Sequence, residues 1–243
     1  QCTRSNVLLR NLDGQFVETT AAAEARDYNY SSGLAAGDVN QDGFPDLWLG
    51  SLGHNRLLIN NGDGTFRDIT DRLGQVDDRF TSSLAIADIN GDTLPDLFET
   101  NYIAMEGGFV VTEFEPDGTP VMPGPLSHFS GMDRWWENRG DGSFQMRDIT
   151  LEVALPGTSL GIIVTDFDAD GDNDVFVGND IRANHLLVHS GGNRFVNVAD
   201  VKGVANGYQG IPNGCMGISA ADFNRDGLID LHITNFNNES ANL

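Results

Sequence analysis

A nine-residue acidic pattern occurs four times in this chain of 243 residues. Each copy has Asp at positions 1, 5 and 9, Asp or Asn at position 3, and Gly or Thr at position 6. Oxygen atoms at positions 1, 3, 5 and 9, with a backbone carbonyl at position 7, suit a hard cation such as Ca2+. Glycine at position 6 makes the required sharp turn without steric cost. Four copies therefore predict four calcium loops, with about one ion in each.

The predicted ligands share the same five loop positions. In chain order they are Asp38, Asn40, Asp42, Phe44 and Asp46; Asp88, Asn90, Asp92, Leu94 and Asp96; Asp166, Asp168, Asp170, Asp172 and Asp174; and Asp222, Asn224, Asp226, Leu228 and Asp230. The residues at position 7 would contribute main-chain carbonyl groups. Thr93 replaces Gly at position 6 of the second loop, so we expect that loop to be strained or to bind its ion more weakly.

A second pattern follows each of the first three loops, at residues 55–66, 133–144 and 184–195. It consists of apolar residues, a Gly-containing turn and a Phe, which predicts a β-hairpin. In the first copy the loop and the hairpin predict strands at 32–39, 46–50, 57–60 and 66–70. Four strands in about 50 residues are typical of one β-propeller blade. The fold class predicted is therefore all-β, a propeller of four-stranded antiparallel blades.

The repeat also predicts how the domain is organised. We expect a half-blade at 1–22, blades at about 30–72, 80–150 and 158–200, and a half-blade at 214–243. The two half-blades could complete one blade of a four-bladed ring, or the chain could be part of a larger propeller. The second alternative is favoured, because four calcium-bearing blades would make a very tight ring.

The charge of the chain limits its partners. The formal net charge is −22, from 36 acidic and 14 basic residues, which argues against nucleic acid and anionic membrane surfaces. There is no run of 18 apolar residues, so membrane insertion is not expected. The loops need micromolar to millimolar free calcium, which predicts a secreted, periplasmic or cell-surface location. Cys2 and Cys215 are too few for a disulfide framework; they could pair or remain free thiols.

The two alternating patterns resemble the FG-GAP/VCBS repeat, the calcium-bearing blade of integrin α-subunit propellers. A closer resemblance is to the cartilage-acidic-protein (ASPIC) family of secreted repeat proteins. It rests on Asn101-Tyr102 with Gly124-Pro125-Leu126, on Gly178-Asn179-Asp180, and on Gly214-Cys215-Met216-Gly217-Ile218 through Ile233-Thr234-Asn235-Phe236. This resemblance implies an extracellular propeller with one Ca2+ per loop and seven blades when complete. This chain carries about four blades, which leaves the blade number open.

Three other features bear on function. Arg139-Gly140-Asp141 spells an integrin-recognition tripeptide, yet it aligns with a hairpin turn that itself requires Gly and Asp. An insertion of about 28 residues between Asp96 and Asp133 carries Phe109, Phe114, His128 and Phe129; it could shape a ligand groove or be a self-packed flap. Of Trp135 and Trp136, we expect one in the core and one facing outward, where it could stack on a sugar or partner.

The sequence contains no recognisable catalytic motif. It has no Gly-x-Ser-x-Gly elbow, no His-Glu-x-x-His and no Lys-containing phosphate loop. His185 and His189 lie on a predicted strand and turn, where packing or surface roles are expected. The leading hypothesis is a non-enzymatic extracellular module for adhesion or scaffolding, which binds a protein or a glycan. The alternatives are a propeller enzyme acting on polysaccharide or phosphoester, and a structural subunit of a surface assembly.

Overall fold

Antiparallel hairpins make up almost all of the regular structure. The computed structural model describes residues 4–74, 79–105, 113–121, 123–147 and 156–242. The first hairpin joins β1 (Leu9–Leu12) to β2 (Gln15–Glu18). The next four strands, here called blade A, are β3 (Tyr30–Gly37), β4 (Asp46–Gly53), β5 (Arg56–Asn60) and β6 (Phe66–Asp68). A 3-10 helix at Thr70–Leu73 follows blade A.

Blade B contains a small inserted hairpin. Its first two strands are β7 (Arg79–Ala87) and β8 (Asp96–Asn101). The inserted hairpin consists of β9 (Glu113–Phe114) and β10 (Pro120–Val121), and a 3-10 helix follows at Pro125–Ser127. The blade is completed by β11 (Arg134–Asn138) and β12 (Phe144–Arg147). Phe109, which the insertion also carries, lies outside the described residues.

Blade C is an uninterrupted four-stranded sheet. It contains β13 (Ser159–Thr165), β14 (Asp174–Asn179), β15 (His185–His189) and β16 (Phe195–Asn197). A short helix α1 (Ala199–Lys202) and a 3-10 turn at Tyr208–Gly210 lead to a two-stranded sheet. That sheet pairs β17 (Cys215–Ala221) with β18 (Asp230–Asn235).

The register between the first two strands is the same in every copy. The residue just before the acidic loop pairs with the Asp at position 9 in each case: Gly37 with Asp46, Ala87 with Asp96, Thr165 with Asp174, and Ala221 with Asp230. A β-bulge lies towards the other end of each pair, between Ser31 and Gly33 in blade A and at the matching places elsewhere. Each acidic loop is therefore a strand connection with fixed register.

The apolar core lies between adjacent blades. Trp48 and Leu57 of blade A pack with Leu97 and Trp136 of blade B. The opposite face of blade B contributes a second cluster, which it shares with blade C; its members are Ile89, Phe98, Trp135, Val175, Val177, Leu187 and Phe195. A third cluster joins blade C to β17 and β18 through Phe176, Leu186, Cys215 and Ile233. Each inner blade is thus covered on both faces, as in a β-propeller, and the predicted fold class is confirmed.

In blades B and C the second strand is the most deeply buried. Every residue of β8 and β14 is buried, whereas β3 alternates between exposed and half-buried residues. A strand in the middle of a blade has a strand on each side and a blade on each face, so it loses the most contact with water. Burial of large apolar side chains there contributes about 2–3 kcal/mol each.

The expectation that one of the two tryptophans faces outward is wrong. Trp135 and Trp136 each have a relative exposure of 1%. Because neighbouring residues of a strand point to opposite faces, Trp136 packs towards blade A and Trp135 towards blade C. A blade between two others has no free face, so neither ring can stack on a sugar or partner.

Two further findings concern the cysteines and the membrane. Cys215 is buried, and burial raises the pKa of its thiol to about 12. Cys2 lies outside the described residues, so the alternative of a bond between Cys2 and Cys215 stays a prediction. Among the helices that the structure describes, none is long and apolar enough to span a bilayer.

Candidate metal centre

The four acidic loops have the same backbone conformation. In each loop, positions 4 and 6 have positive φ angles: 57° and 90° at Gln41 and Gly43, 76° and 73° at Gly91 and Thr93, 63° and 98° at Ala169 and Gly171, and 67° and 88° at Arg225 and Gly227. Left-handed residues at these two positions curl the chain around the acidic side chains. Thr93 pays a steric cost for this conformation because it is β-branched, which agrees with the strain expected in the second loop.

The first aspartate of each loop organises the turn. In the first loop, Asp38 accepts hydrogen bonds from the backbone N–H groups of Asp42 at 3.0 Å and Gly43 at 2.8 Å. The corresponding carboxylates accept the same two bonds in the other loops: Asp88 from Asp92 and Thr93, Asp166 from Asp170 and Gly171, and Asp222 from Asp226 and Gly227. Consequently the oxygens at position 1 face the concave side of the loop.

The side chain at position 5 also points back into the loop. Asp42 accepts a hydrogen bond from the N–H of Phe44 at 2.9 Å. The same bond, at the same distance, joins Leu94 to Asp92, Asp172 to Asp170, and Leu228 to Asp226. The carboxylates at positions 1 and 5 are therefore each held by backbone N–H groups of their own loop.

The aspartate at position 9 has a different environment. Asp46 is fully buried and accepts the N–H groups of Val39 at 2.9 Å and Asn60 at 2.8 Å. Asp96 does the same with Ile89 and Asn138, and Asp174 with Phe167 and His189. In the fourth loop, Asp230 accepts the N–H of Phe223 at 3.0 Å. In blades A, B and C this carboxylate ties the loop to the end of the third strand.

Burial raises the pKa of the position 9 carboxylates. The pKa of Asp46 is raised first by burial and further by the charges of Asp42 and Asp38. Burial also raises the pKa of Asp174, and it raises that of Asp96 to about 7. A cation held beside these carboxylates would favour their ionised form and so lower their pKa, whereas burial raises it.

The third loop has the densest set of acidic groups. Carboxylate oxygens of Asp166, Asp168 and Asp174 lie within 4.8 Å of one another, and among the described residues only this loop forms such a cluster. The other loops carry Asn40, Asn90 or Asn224 at position 3, where an amide oxygen replaces a carboxylate. All of these donors are oxygen atoms, as Ca2+ prefers. The residues of the third loop therefore fit a cation such as Ca2+.

Hydrogen bonds join neighbouring loops at this end of the blades. The side-chain amide of Gln41, in the first loop, donates to the carbonyl of Thr93 in the second at 2.7 Å. The amide of Asn173, in the third loop, donates to the carbonyl of Asp88 at 2.7 Å. The first three loops therefore form one connected edge of the molecule.

The Arg139-Gly140-Asp141 tripeptide lies in the turn predicted by the repeat. Gly140 has a φ of 72°, and a Cβ atom there would lie 3.2 Å from the side chain of Leu94. Arg139 donates to Glu137 at 2.8 Å. Hydrogen bonds from the side chain and the backbone of Ser143 lower the pKa of Asp141. Gly140 and Asp141 thus have roles in the turn itself, and the side chain of Arg139 pairs with a residue of the preceding strand.

Both histidines of β15 are packed inside the molecule. His185 and His189 are each 6% exposed. Burial lowers the pKa of His185 to about 4. The ring of His189 is hydrogen-bonded to Asp172 at 3.0 Å and to the carbonyl of Gly192 at 2.7 Å. These contacts agree with the packing role expected from the sequence.

Sequence reasoning missed a group of buried polar residues at the other end of blade B. Glu99, Arg79 and Asp133 are buried there, and burial raises the pKa of Asp133 to about 7. Asp133 accepts the N–H of Asn101 at 2.8 Å and the hydroxyl of Ser159 at 2.9 Å. Alignment of the second strands could have found this group, because Glu99 occupies a position that is apolar in the other copies.

Antiparallel blades whose first two strands are joined by a repeated acidic loop define a propeller-type repeat protein. A family model described as FG-GAP-like repeat matches residues 38–99, 126–177 and 166–233, which together make up well over half of the chain. The chain therefore belongs to the FG-GAP-like repeat family.

Sequence identity to one solved structure is low. One similar solved structure is that of an Agrocybe aegerita lectin, described as recognising non-reducing terminal N-acetylglucosamine. The two chains are 14% identical with a TM-score of 0.32, over 100% of this chain and 76% of the lectin chain. A likeness at this level says nothing about the ligand of this chain. A comparison with curated proteins finds no match.

Proposed function

We propose that this protein is a calcium-stabilised extracellular binding module whose propeller surface engages a glycan or a protein. The observation that carries the proposal is the repetition of one loop geometry in four places, with the carboxylate at position 1 held by the loop's own backbone each time. The three carboxylates of Asp166, Asp168 and Asp174 are its strongest single instance, since they lie within 4.8 Å of one another.

In this proposal the loop residues hold the metal and shape the blade. The side chains at positions 1, 3, 5 and 9 and the carbonyl at position 7 would be the ligands, as in Asp38, Asn40, Asp42, Phe44 and Asp46 of the first loop. A bound Ca2+ supplies positive charge that compensates the clustered carboxylates. The protein's own contribution is the pair of left-handed turns and the clamp between position 9 and the third strand.

An extracellular role follows from the same chemistry. Loops that bind calcium only at micromolar to millimolar concentration would be filled outside the cytoplasm, which supports secretion or a cell-surface location. The resemblance to cartilage acidic proteins and to integrin α propellers points in the same direction, towards adhesion or scaffolding. The chain could accordingly be a subunit of a larger surface assembly, and its acidic charge disfavours nucleic acid as a partner.

We also propose that the module is not an enzyme. The aspartates of the loops are engaged in turn formation, and the two histidines of β15 are packed in the core. A general acid or base has to reach its substrate, and these groups face the interior or their own loop.

A binding screen in two buffers tests the proposal. The protein would be applied to a glycan array and to a panel of extracellular proteins, first in millimolar calcium and then in chelator. We expect a ligand that is retained in calcium and lost in chelator. Absence of any ligand in calcium, with a folded protein confirmed by circular dichroism, would reject a recognition role and favour a purely structural subunit.

A further inference from the structure

A chain of three buried polar side chains crosses the interface between blades A and B. The side-chain amide of Asn55 donates to the hydroxyl of Thr81 at 3.0 Å, and that hydroxyl donates to the amide oxygen of Asn101 at 2.9 Å. All three residues are buried. Buried polar groups need hydrogen-bond partners inside the protein, and in this chain each donor meets an acceptor.

The same chain recurs between blades B and C, where its members are Asp133, Ser159 and Asn179. Ser159 pairs with Asn179 in the register of β13 and β14, as Thr81 pairs with Asn101 in the preceding blade. The hydroxyl oxygen of Ser159 lies 2.9 Å from Oδ2 of Asp133 and 3.0 Å from Oδ1 of Asn179. All three side chains are again buried, with relative exposures of 1% or less.

Asp133 occupies the place of an asparagine in this chain. Its Oδ1 accepts the backbone N–H of Asn101 at 2.8 Å, as Oδ1 of Asn55 accepts the backbone N–H of Ser51 at 2.9 Å. Oδ2 of Asp133 therefore stands where the amide nitrogen of Asn55 stands in the preceding blade. An acceptor has replaced a donor at the first position of the chain.

The replacement leaves the chain one proton short. A serine hydroxyl has a single proton, so Ser159 cannot donate to Asp133 and to Asn179 together. The amide of Asn179 is fixed in orientation, because its nitrogen donates to the carbonyl of Ala183 at 2.8 Å. A proton on Oδ2 of Asp133 removes the conflict, since the acid then donates to Ser159 and Ser159 donates to Asn179.

The charges around Asp133 act in the same direction. Burial, together with the charge of Glu99 on β8, raises the pKa of Asp133 to about 7. Arg79 on β7 lies 3.4 Å from the carboxylate of Glu99. The other charged neighbours in sequence are Arg134, which follows Asp133 in β11, and Asp180, which follows the last residue of β14.

We propose that Asp133 is a protonated carboxylic acid in the folded protein and that its proton closes the contact between blades B and C. Loss of the proton leaves two buried oxygens competing for the hydroxyl of Ser159, and it places a second negative charge near Glu99. The contact is therefore closed in acid and opens as the pH rises through neutrality. The matching contact between blades A and B does not respond to pH, because the amide of Asn55 keeps its protons.

Carbon-13 NMR of the side-chain carboxyl groups detects the proton directly. The Asp133 signal is assigned by its absence from Asp133→Asn, and we expect it to titrate with a midpoint near pH 7. Asp63 serves as the control, because hydrogen bonds from Thr65 lower its pKa; its signal should titrate below about pH 4. A midpoint for Asp133 below about pH 5 would show an ionised carboxylate and overturn the proposal.

Backbone hydrogen exchange tests whether the proton closes the contact between the blades. After correction for the intrinsic effect of pH, exchange of the β13 amides should rise about tenfold between pH 6 and 8, because Asp133 regains an ordinary pKa when the segment opens. The amides of β7, which meets blade A through Thr81, should change less. In Asp133→Asn the rise in β13 should disappear, because asparagine donates to Ser159 at every pH.

A second variant separates the hydrogen-bond chain from the charge of Asp133. In the original protein, the side-chain amide signal of Asn179 should shift with the same midpoint as the carboxyl signal of Asp133. Ser159→Ala removes the hydroxyl that connects them, so the signal of Asn179 should no longer follow that titration. Unchanged exchange of β13 between pH 6 and 8, an equal rise in Asp133→Asn, or a shift of Asn179 that survives Ser159→Ala would each reject the proposal.

Discussion

The two ends of the blades differ in how closely the copies resemble one another. At the loop end, all four copies share two left-handed residues and the same hydrogen bonds from positions 5, 6 and 7. At the opposite end, corresponding positions differ in chemistry: Leu49 becomes Glu99 or Val177, and Asn55 becomes Asp133 or Asn184.

This difference shows which constraints act on the sequence at each end of the blades. A turn that must present oxygen atoms to one cation admits few residues, so its sequence repeats. The opposite end has only to cover the core, so individual blades can acquire polar groups there. Structural stability is thus expected to depend on the loop end, and recognition to depend on the end that varies.

The largest effect is expected from removal of a position 9 aspartate, the side chain that ties the acidic loop to the end of the third strand. Asp174→Ala leaves the N–H groups of Phe167 and His189 without their acceptor inside the protein. Each buried, unsatisfied group costs about 1–3 kcal/mol, so we expect a loss of roughly 2–5 kcal/mol in the free energy of unfolding. Urea unfolding in chelator measures this loss without a metal contribution.

The control for this prediction is Asp170→Ala in the same loop. Asp170 is exposed, so in chelator its removal should cost less than about 1 kcal/mol. In calcium it should remove about one bound ion, as should Asp92→Ala in the second loop. Equal losses for Asp174→Ala and Asp170→Ala in chelator would show that the clamp does not stabilise the blade.

The next largest effect concerns Asp133, which lies at the end of blade B opposite the acidic loop, and it is measured as a change of stability with pH. The pKa of Asp133 is raised from 3.8 to about 7 by burial, so the folded protein binds this proton more tightly than the unfolded chain. The contribution of Asp133 to the free energy of unfolding is therefore complete below pH 4, and it is lost as the pH rises towards 7. The cost at pH 8 is at most about 4 kcal/mol, at 1.36 kcal/mol per pKa unit.

Asp133→Asn removes this cost in the free energy of unfolding, because asparagine cannot ionise and its side chain has nearly the same shape. Asn55 and Asn184 occupy the same position in the other blades, and each accepts the corresponding backbone N–H at 2.9 Å. We expect the variant to melt at a higher temperature than the original protein at pH 8 and at a similar temperature at pH 4. An equal difference at both pH values would show that ionisation of Asp133 is not the cause.

A smaller gain is expected from relief of the strained loop. Thr93→Gly removes a β-branched residue from a φ of 73°, and should stabilise the protein by about 1 kcal/mol. The reciprocal change, Gly43→Thr, introduces the same strain into the first loop, where a Cβ atom has no neighbour within 4 Å. Thermal melts of both variants should move in opposite directions. Movement in the same direction would contradict the strain argument.

The smallest effect concerns the link between loops. Gln41→Ala removes the exposed hydrogen bond to the carbonyl of Thr93 and should cost about 0.5 kcal/mol. Arg225 occupies the same position in the fourth loop and is exposed, so Arg225→Ala is the matched control. If both variants lose the same stability, the bond between the first two loops contributes nothing of its own.

Much of the loop end could be predicted from sequence. The turn conformation, the strand connection and the strain at Thr93 all follow from a local pattern, since the turn is made by residues close in sequence. The clamp role of Asp46, Asp96 and Asp174 could not be predicted, because its partners Asn60, Asn138 and His189 lie on the third strand. Only the folded chain brings them together.

The opposite end was harder to predict because burial there depends on neighbouring blades. Alternation along a strand suggested that Trp135 or Trp136 would face outward, but blade B is covered on both faces. Glu99 was not identified as a buried charge, since its partners Asn55 and Arg79 come from blade A and the start of β7. Its position in a repeat was the one available signal.

The most direct test of the account is a thermal melt combined with a count of bound calcium. The protein would be melted in millimolar calcium and in excess chelator, and its calcium content measured by atomic emission after dialysis. A ligand at about 100 times its Kd adds about 2.7 kcal/mol per site, so several loops together should raise the melting temperature by about 10 °C or more. The account predicts this rise, with about four ions bound. An unchanged melting temperature and no retained calcium would contradict it.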